Sequence, residues 1–219
     1  MKLDRDTYGT VLLVYALCVV GIILLLLFVP YWWISVPLSL GLLWVCGWQT
    51  YFHMVPDREH AGDAHRVTAV SDGKVVRIEK VFEPAYLKRE ALLVSVYMDF
   101  WDLHANFWPV TGTVSYTEYF PGKHVLAFKP KASEENEHCC TAVRTPSGQE
   151  VLFKQLAGGF ARRIVCHAVQ GQEVRAGDQC GIIKFGSRID HYLPTDARVL
   201  VREGDLVKAV QTVIAELSL

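Results

Sequence analysis

The first quarter of the chain contains a long stretch without charge. From Thr7 to Pro56 there is no Asp, Glu, Lys or Arg, and apolar runs at residues 11–29 and 31–48 dominate this stretch. The first run would span about 28 Å as a helix, which is close to the hydrocarbon thickness of a bilayer. Pro30 separates the two runs, and aromatic residues flank them. This pattern predicts a transmembrane helical hairpin within an N-terminal anchor of residues 1–55.

Basic residues lie outside both ends of the uncharged stretch. Lys2 and Arg5 precede it, Arg58 and Arg66 follow it, and the connection between the two runs carries no charge. Because cytoplasmic flanks of membrane segments are enriched in Lys and Arg, we expect both ends to face the cytoplasm. The expected location is therefore the cytoplasmic (inner) membrane, with the following domain on its cytoplasmic side.

Residues 56–219 have the composition of a soluble domain and the regularly spaced turn residues of a β fold. Short runs rich in β-branched and aromatic residues alternate with turn residues, and Pro146-Ser147-Gly148 is a strong hairpin signal. A Gly-x-x-Val sequence at Gly171 recurs at Gly204, a turn typical of biotinyl/lipoyl-like sandwiches. We expect a mainly β fold, barrel-like or sandwich-like, with biotinyl/lipoyl-like elements.

Composition argues against several classes of function. The 22 Lys and Arg residues balance 23 Asp and Glu residues, so nucleic-acid binding through bulk positive charge is not expected. The six cysteines have no Cys-x-x-Cys spacing, which predicts neither a metal site nor a disulfide framework. A lipoyl carrier would need a lysine flanked by apolar residues at a hairpin tip, and Lys74 lacks that pattern.

Three positions could carry chemistry, although each also has a plainer interpretation. Gly186-Ser187 follows a β run, and a serine hydroxyl there can attack the glycine carbonyl to give an ester. Elimination and hydrolysis would then leave a pyruvoyl group, but such a pair on its own is usually a turn. His104 could move a proton near pH 7 or could be a polar loop residue. Asp72, in Ser-Asp-Gly, reads alone as a turn residue.

Five motifs cover most of residues 67–194: VTAVSDGKVV, YMDFWDLHANFWPVTGTV, YFPGKHVLAFKPKASEENE, QLAGGFARRIVCH and IIKFGSRIDHYLP. In this order they resemble the short-form phosphatidylserine decarboxylases, which are pyruvoyl-dependent enzymes of phospholipid synthesis. The KFGSRID sequence is highly specific to that class. The resemblance implies a membrane-anchored, self-processing zymogen with carboxy-lyase activity.

Family resemblance also implies how the chain matures and what it then does. Self-cleavage between Gly186 and Ser187 would give a β chain of residues 1–186 and an α chain of residues 187–219, which stay together as a heterodimer. The cofactor would be a covalent pyruvoyl group made from Ser187, which forms a Schiff base with phosphatidylserine in the membrane. Loss of CO2 and hydrolysis would release phosphatidylethanolamine. A higher oligomer is compatible with this scheme.

The resemblance assigns roles to Ser187 as the pyruvoyl precursor, to His104 in proton transfer, and to Asp72 in orienting the base. Longer members of the family have Gly-Ser-Thr at the cleavage position and a second histidine where this chain has Phe107. We therefore expect His104 to serve both cleavage and decarboxylation. Four basic residues are candidates for contact with the headgroup phosphate or an anionic lipid surface: Arg162, Arg163, Lys184 and Arg188.

Two alternatives remain open from the sequence. The chain could be a non-enzymatic, membrane-anchored adaptor with a biotinyl/lipoyl-like fold, or it could act on an ether-linked archaeal analogue of phosphatidylserine. The adaptor would run as one band near 24.7 kDa on a denaturing gel, whereas the self-processing enzyme would run as two. Only a substrate assay separates the two lipids.

Overall fold

The computed structural model describes residues 1–125, 132–159, 163–184 and 187–218. These residues belong to two compact units, Met1–Asp57 and Arg58–Leu219. The first unit is helical and the second is built almost entirely from antiparallel strands. The prediction of a mainly β fold preceded by apolar helical structure is therefore confirmed.

The N-terminal unit contains two helices of similar length, α1 (Tyr8–Phe28) and α2 (Trp32–Phe52). A 3-10 turn (Arg5–Thr7) precedes α1, and the short strands β1 (Lys2–Leu3) and β2 (Met54–Val55) pair antiparallel. Most side chains of α1 are apolar and exposed, as expected of a helix whose solvent is lipid. Within the described residues, the segment Arg5–Phe28 is the one helix whose length and mean hydropathy, 3.2, suit a membrane span.

The described residues of the second unit form fourteen strands and the short helix α3 (Ala132–Glu135). The strands along the chain are β3 (Arg66–Thr68), β4 (Gly73–Glu83), β5 (Arg89–Met98), β6 (Ala105–Phe107), β7 (Gly112–Phe120), β8 (His138–Arg144), β9 (Glu150–Leu156), β10 (Arg163–Cys166), β11 (Glu173–Val174), β12 (Gln179–Lys184), β13 (Ser187–Leu193), β14 (Arg198–Val199), β15 (Leu206–Val207) and β16 (Val213–Glu216).

Eight of these strands form one curled sheet in the order β11-β7-β8-β9-β13-β5-β4-β15. Two three-stranded sheets, β10-β12-β6 and β14-β16-β3, complete the described part of the unit. Strand β13 lies in the middle of the large sheet, between β9 and β5. Ser187, which follows the predicted cleavage site, pairs with Met98 of β5, and pairing on both sides begins one residue later, at Arg188.

Alternation along β13 separates two packed faces, because successive side chains of a strand point to opposite sides. Ile189 and Leu193 contribute to the main hydrophobic core, together with Ile183 of β12 and Ile214 of β16. Tyr192 contributes to a smaller apolar cluster on the opposite face. Every residue of β13 is buried.

Local sequence signals account for the edges of the large sheet. The Gly-x-x-Val repeat forms two equivalent structures: Gly171 and Gly204 both have positive φ, and short strands β11 and β15 follow them. These strands lie at opposite edges of the sheet. The hairpin signal at Pro146-Ser147-Gly148 is confirmed as well, because it joins the paired strands β8 and β9.

Candidate active site

Ser187 is the first residue of β13 and lies in register opposite Met98 of β5. Its side chain is fully buried, and its Oγ donates a weak hydrogen bond to the Met98 sulfur, 3.7 Å away. A thioether is a poor acceptor, so this contact leaves the hydroxyl chemically available. Gly186, the other half of the predicted cleavage site, lies outside the described residues.

His104 immediately precedes β6, which pairs with β12. The His104 carbonyl accepts a hydrogen bond from the Ile183 amide at 3.3 Å, so the histidine is attached to the strand that leads towards Ser187. Its buried ring places Nδ1 2.8 Å from the Asp102 carbonyl oxygen. Because a carbonyl can only accept, Nδ1 carries the hydrogen, and in the neutral ring Nε2 is the basic nitrogen.

Asp72 lies in the turn between β3 and β4, and its carboxylate is held firmly. Arg58 contacts both carboxylate oxygens, with Nη2 2.8 Å from Oδ2, and the Ala209 amide donates to Oδ1 at 2.8 Å. Gly73 next to it has φ of 146°, and a Cβ there would lie 2.3 Å from the Tyr97 carbonyl oxygen. Only glycine fits this position, so the turn is fixed against β5.

Val70, two residues before Asp72, connects the elements that carry the three predicted residues through its backbone amide and carbonyl groups. Its amide donates to His191 Nε2 in β13 at 3.2 Å, and its carbonyl accepts from the Phe107 amide in β6 at 2.9 Å. Strand β13 begins at Ser187, and β6 begins directly after His104. The fold therefore ties the elements that carry Asp72, His104 and Ser187 to one another.

Known proteins are similar to this chain over most of its length. The profile of the family described as "Phosphatidylserine decarboxylase" matches residues 47–215. A phosphatidylserine decarboxylase proenzyme of Nitrosomonas europaea is 43% identical over 196 residues, covering 90% of this chain and 88% of the relative. Proenzymes of the same name from Cupriavidus taiwanensis and Bacteroides thetaiotaomicron are 42% and 40% identical, each covering 85% of this chain and 84% and 85% of the relative.

This chain belongs to the phosphatidylserine decarboxylase family. The expectation of a decarboxylating enzyme is therefore confirmed, and the reading as a non-enzymatic adaptor loses its basis. These relatives are named as proenzymes, that is, as precursors, which agrees with the expected zymogen.

Asp102 is a further residue of interest in this decarboxylase fold, and sequence reasoning gave it no role. Burial raises the pKa of its carboxyl to about 6, and the nearby charges of Asp99 and Asp72 act in the same direction. Its carbonyl orients the His104 ring. The available sequence signal was its position two residues before His104 in the same loop.

The four basic candidates for lipid contact differ in their surroundings. Arg188 is only 1% exposed, with Nε 2.9 Å from Asp190 Oδ1, so its guanidinium faces a protein carboxylate inside the sheet. Lys184 is also buried, at the end of β12. Arg163 lies opposite Lys184 in the register and is exposed. Arg162 lies outside the described residues.

Proposed function

We propose that this chain is a self-processing phosphatidylserine decarboxylase in which Ser187, His104 and Asp72 carry the chemistry. The observation that supports this assignment best is the junction at Val70. Val70, in the same turn as Asp72, is hydrogen-bonded both to the strand that starts after His104 and to the strand that starts at Ser187. Family membership supplies the reaction, and this junction supplies a reason for these three residues to act together.

In the proposed self-cleavage, His104 Nε2 takes the hydroxyl proton of Ser187 as Oγ attacks the Gly186 carbonyl. The amide becomes an ester as the nitrogen of residue 187 leaves the carbonyl carbon. Loss of the Cα proton then breaks the ester, which frees a carboxylate on Gly186 and leaves dehydroalanine at residue 187. Water hydrolyses its imine form, ammonia departs, and a pyruvoyl group caps the α chain.

The buried position of Ser187 suits a pyruvoyl group, because β5 and β9 hold the strand that presents it. Once made, that group supplies a ketone and an adjacent amide carbonyl that accept electrons as CO2 leaves. His104 is the proposed donor of the proton that replaces the carboxylate on the substrate carbon. Its hydrogen bond from Nδ1 to the Asp102 carbonyl keeps Nε2 as the nitrogen that exchanges protons.

Asp72 is proposed to orient and polarise the site from the turn next to β6. Its salt bridge with Arg58 and the hydrogen bond that it accepts from the Ala209 amide hold the carboxylate in place. Changing Asp72 to Asn should slow self-cleavage, measured by the appearance of the 187–219 fragment after expression. An unchanged rate would reduce Asp72 to a turn residue.

The proposed domain division is an anchor of residues 1–55 and a catalytic domain of residues 56–219, located on the cytoplasmic side of the cytoplasmic membrane. The split into units at Asp57 and Arg58 supports this boundary. The loop before His104 exposes Phe100 and Trp101, side chains that favour the headgroup region of a bilayer. Exposed Arg163 is the best supported of the four basic candidates for the lipid phosphate.

The decisive variant is Ser187→Ala, which removes the attacking hydroxyl. It should remain one chain and release no CO2 from phosphatidylserine, whereas Ser147→Ala, in the exposed hairpin, should cleave and turn over normally. Two chains from Ser187→Ala would remove Ser187 from the mechanism. Assays with diacyl and dialkyl phosphatidylserine side by side would separate the ester-linked from the ether-linked substrate.

The anchor can be tested through the form in which the lipid is presented. Deleting residues 1–50 should lower the rate on vesicles far more than the rate on dispersed short-chain phosphatidylserine, because the anchor supplies proximity to the bilayer. Equal losses on both substrates would mean that the segment belongs to the catalytic fold.

A further inference from the structure

A buried polar cluster lies on the face of β13 opposite Ser187. It consists of Arg188 and Asp190 of β13, Ser95 of β5 and Ser133 of α3, and we call it the Asp190 cluster. Arg188, Asp190 and Ser95 are almost completely buried, and Ser133 is 9% exposed. Burying a charged pair in this way is costly unless each charge is well satisfied, so the cluster needs an explanation.

All the polar groups of the cluster converge on the Asp190 carboxylate. Oδ1 accepts from Ser95 Oγ at 2.6 Å and lies 2.9 Å from Arg188 Nε. Oδ2 accepts from Ser133 Oγ at 2.8 Å and from Arg188 Nη2 at 3.0 Å. Arg188 Nη2 also donates to Ser133 Oγ. A hydrogen bond from Arg188 Nη2, the adjacent positive charge of the guanidinium and two hydroxyl donors together fix the carboxylate in one orientation.

Cleavage between residues 186 and 187 would divide this cluster between the two product chains. Ser95 and Ser133 would belong to residues 1–186, whereas Arg188 and Asp190 would belong to the α chain, one and three residues after its new N-terminus. The cluster is therefore a buried contact between the chains, directly behind the residue that becomes the reactive group.

Scission changes what holds residue 187 in place. In the precursor the chain constrains this residue covalently from both sides, but afterwards only its bond to residue 188 remains. The end of a strand frays readily when nothing beyond it is fixed. The backbone of Arg188 pairs with Tyr97 and Leu156, and its side chain is anchored through Asp190 to Ser133.

We propose that Arg188 and Asp190 are positioning residues that keep the new N-terminus of the α chain in the β13 alignment after self-cleavage. The proposal rests on the proposed function and gives Arg188 a role inside the protein instead of at the lipid phosphate. It predicts that breaking the cluster leaves cleavage intact and lowers kcat, because the reactive group no longer stays at the start of β13.

The test compares Asp190→Asn with Glu83→Gln in the full-length protein. Glu83 and Lys154 form another buried ion pair in the same sheet, 2.8 Å apart, and both lie in residues 1–186. Each variant thus removes one negative charge from a buried pair. The hydrogen-bond and ion-pair partners of Glu83 all lie in residues 1–186, whereas those of Asp190 lie in both product chains. Extent of cleavage, thermal stability, and kcat and KM on dispersed short-chain phosphatidylserine are measured for both.

We expect both variants to cleave and both to lose stability, but only Asp190→Asn to lose kcat, by tenfold or more, with KM little changed. Arg188→Met should behave like Asp190→Asn, and Arg188→Lys should recover part of the loss because it keeps a charge facing Asp190. The rate at which the pyruvoyl carbonyl reacts with hydroxylamine should also differ from the wild-type rate in Asp190→Asn and Arg188→Met.

Three results would overturn the proposal. A rise in KM with unchanged kcat would mean that Arg188 contacts the lipid phosphate. An equal loss of kcat in Glu83→Gln would mean that the effect is one of stability alone. An Asp190→Asn protein that does not cleave would mean that the cluster is needed for scission itself. If Asp190→Asn does not fold, Ser95→Ala and Ser133→Ala, which each remove one donor, should cleave and show smaller losses of kcat. Failure of the wild-type protein itself to cleave or decarboxylate would instead contradict the proposed function.

Discussion

The buried histidine His191 should make folding stability depend on pH in a way that can be calculated. Its Nδ1 lies 3.0 Å from the Val94 carbonyl oxygen and must donate to it, so Nε2 accepts from the Val70 amide. Protonation would add a hydrogen to Nε2 and set two donors against each other. Burial is the main reason that the pKa of His191 falls to about 4.

The size of the effect follows from proton linkage. An unfolded histidine has a pKa near 6.5. Between about pH 6.5 and about pH 4, the unfolded chain therefore binds a proton that His191 does not bind in the folded state. The unfolded state is therefore favoured as the pH falls. From about pH 7.5 to about pH 5, His191 should lower the free energy of unfolding by about 2 kcal/mol.

The assay is urea unfolding of the Ser187→Ala protein, which is expected to stay a single chain, with and without His191→Gln. Trp108, one of the six tryptophans, is buried in the main core with its ring 5.9 Å from that of Phe153, so unfolding of the core should change its contribution to the fluorescence. Other titrating groups are common to both proteins, so their contributions cancel in the difference. Equal pH dependence of the free energy of unfolding in the two proteins would refute the assigned tautomer and the hydrogen bond from the Val70 amide to His191 of β13.

Three further changes test the site itself. His104→Ala should lower decarboxylation by about 10²-fold to 10⁴-fold, the usual contribution of a positioned acid–base group, and wild-type cleavage and turnover would exclude it. Gly73→Ala should impair folding and cleavage because its Cβ would meet the Tyr97 carbonyl, whereas Gly148→Ala, also at positive φ but with open space around it, should show only a modest loss of stability. Asp102→Asn should remove an inflection near pH 6 from the rate profile, and an unchanged profile would disconnect that carboxyl from the reaction.

Local signals in the sequence predict those parts of the fold that depend on local chemistry. A turn at Pro146-Ser147-Gly148 forces the chain to reverse whatever surrounds it, and the structure has a hairpin there. The two Gly-x-x-Val turns likewise produce the same local structure twice. A long uncharged run predicts apolar helices, because only a continuous helix satisfies its backbone away from water.

Contacts between distant segments account for what the sequence left open. Arg188 and Asp190 look like surface charges in a motif, and only the pairing of β13 with β5 brings Ser95 to them. Strand β6 is three residues long and has no periodic pattern, yet its pairing with β12 attaches His104 to the strand before Ser187. Such positions depend on register between strands, which no single stretch of sequence encodes.

Intact-mass spectrometry of the purified wild-type protein tests the central claim most directly. The account predicts two chains, residues 1–186 and residues 187–219. The smaller chain should have no N-terminal amine and should be lighter than the serine-started fragment by the mass of one ammonia. It should gain mass on treatment with hydroxylamine. A single species with the full 24.7 kDa mass, or a fragment that begins with an unmodified serine, would contradict the account.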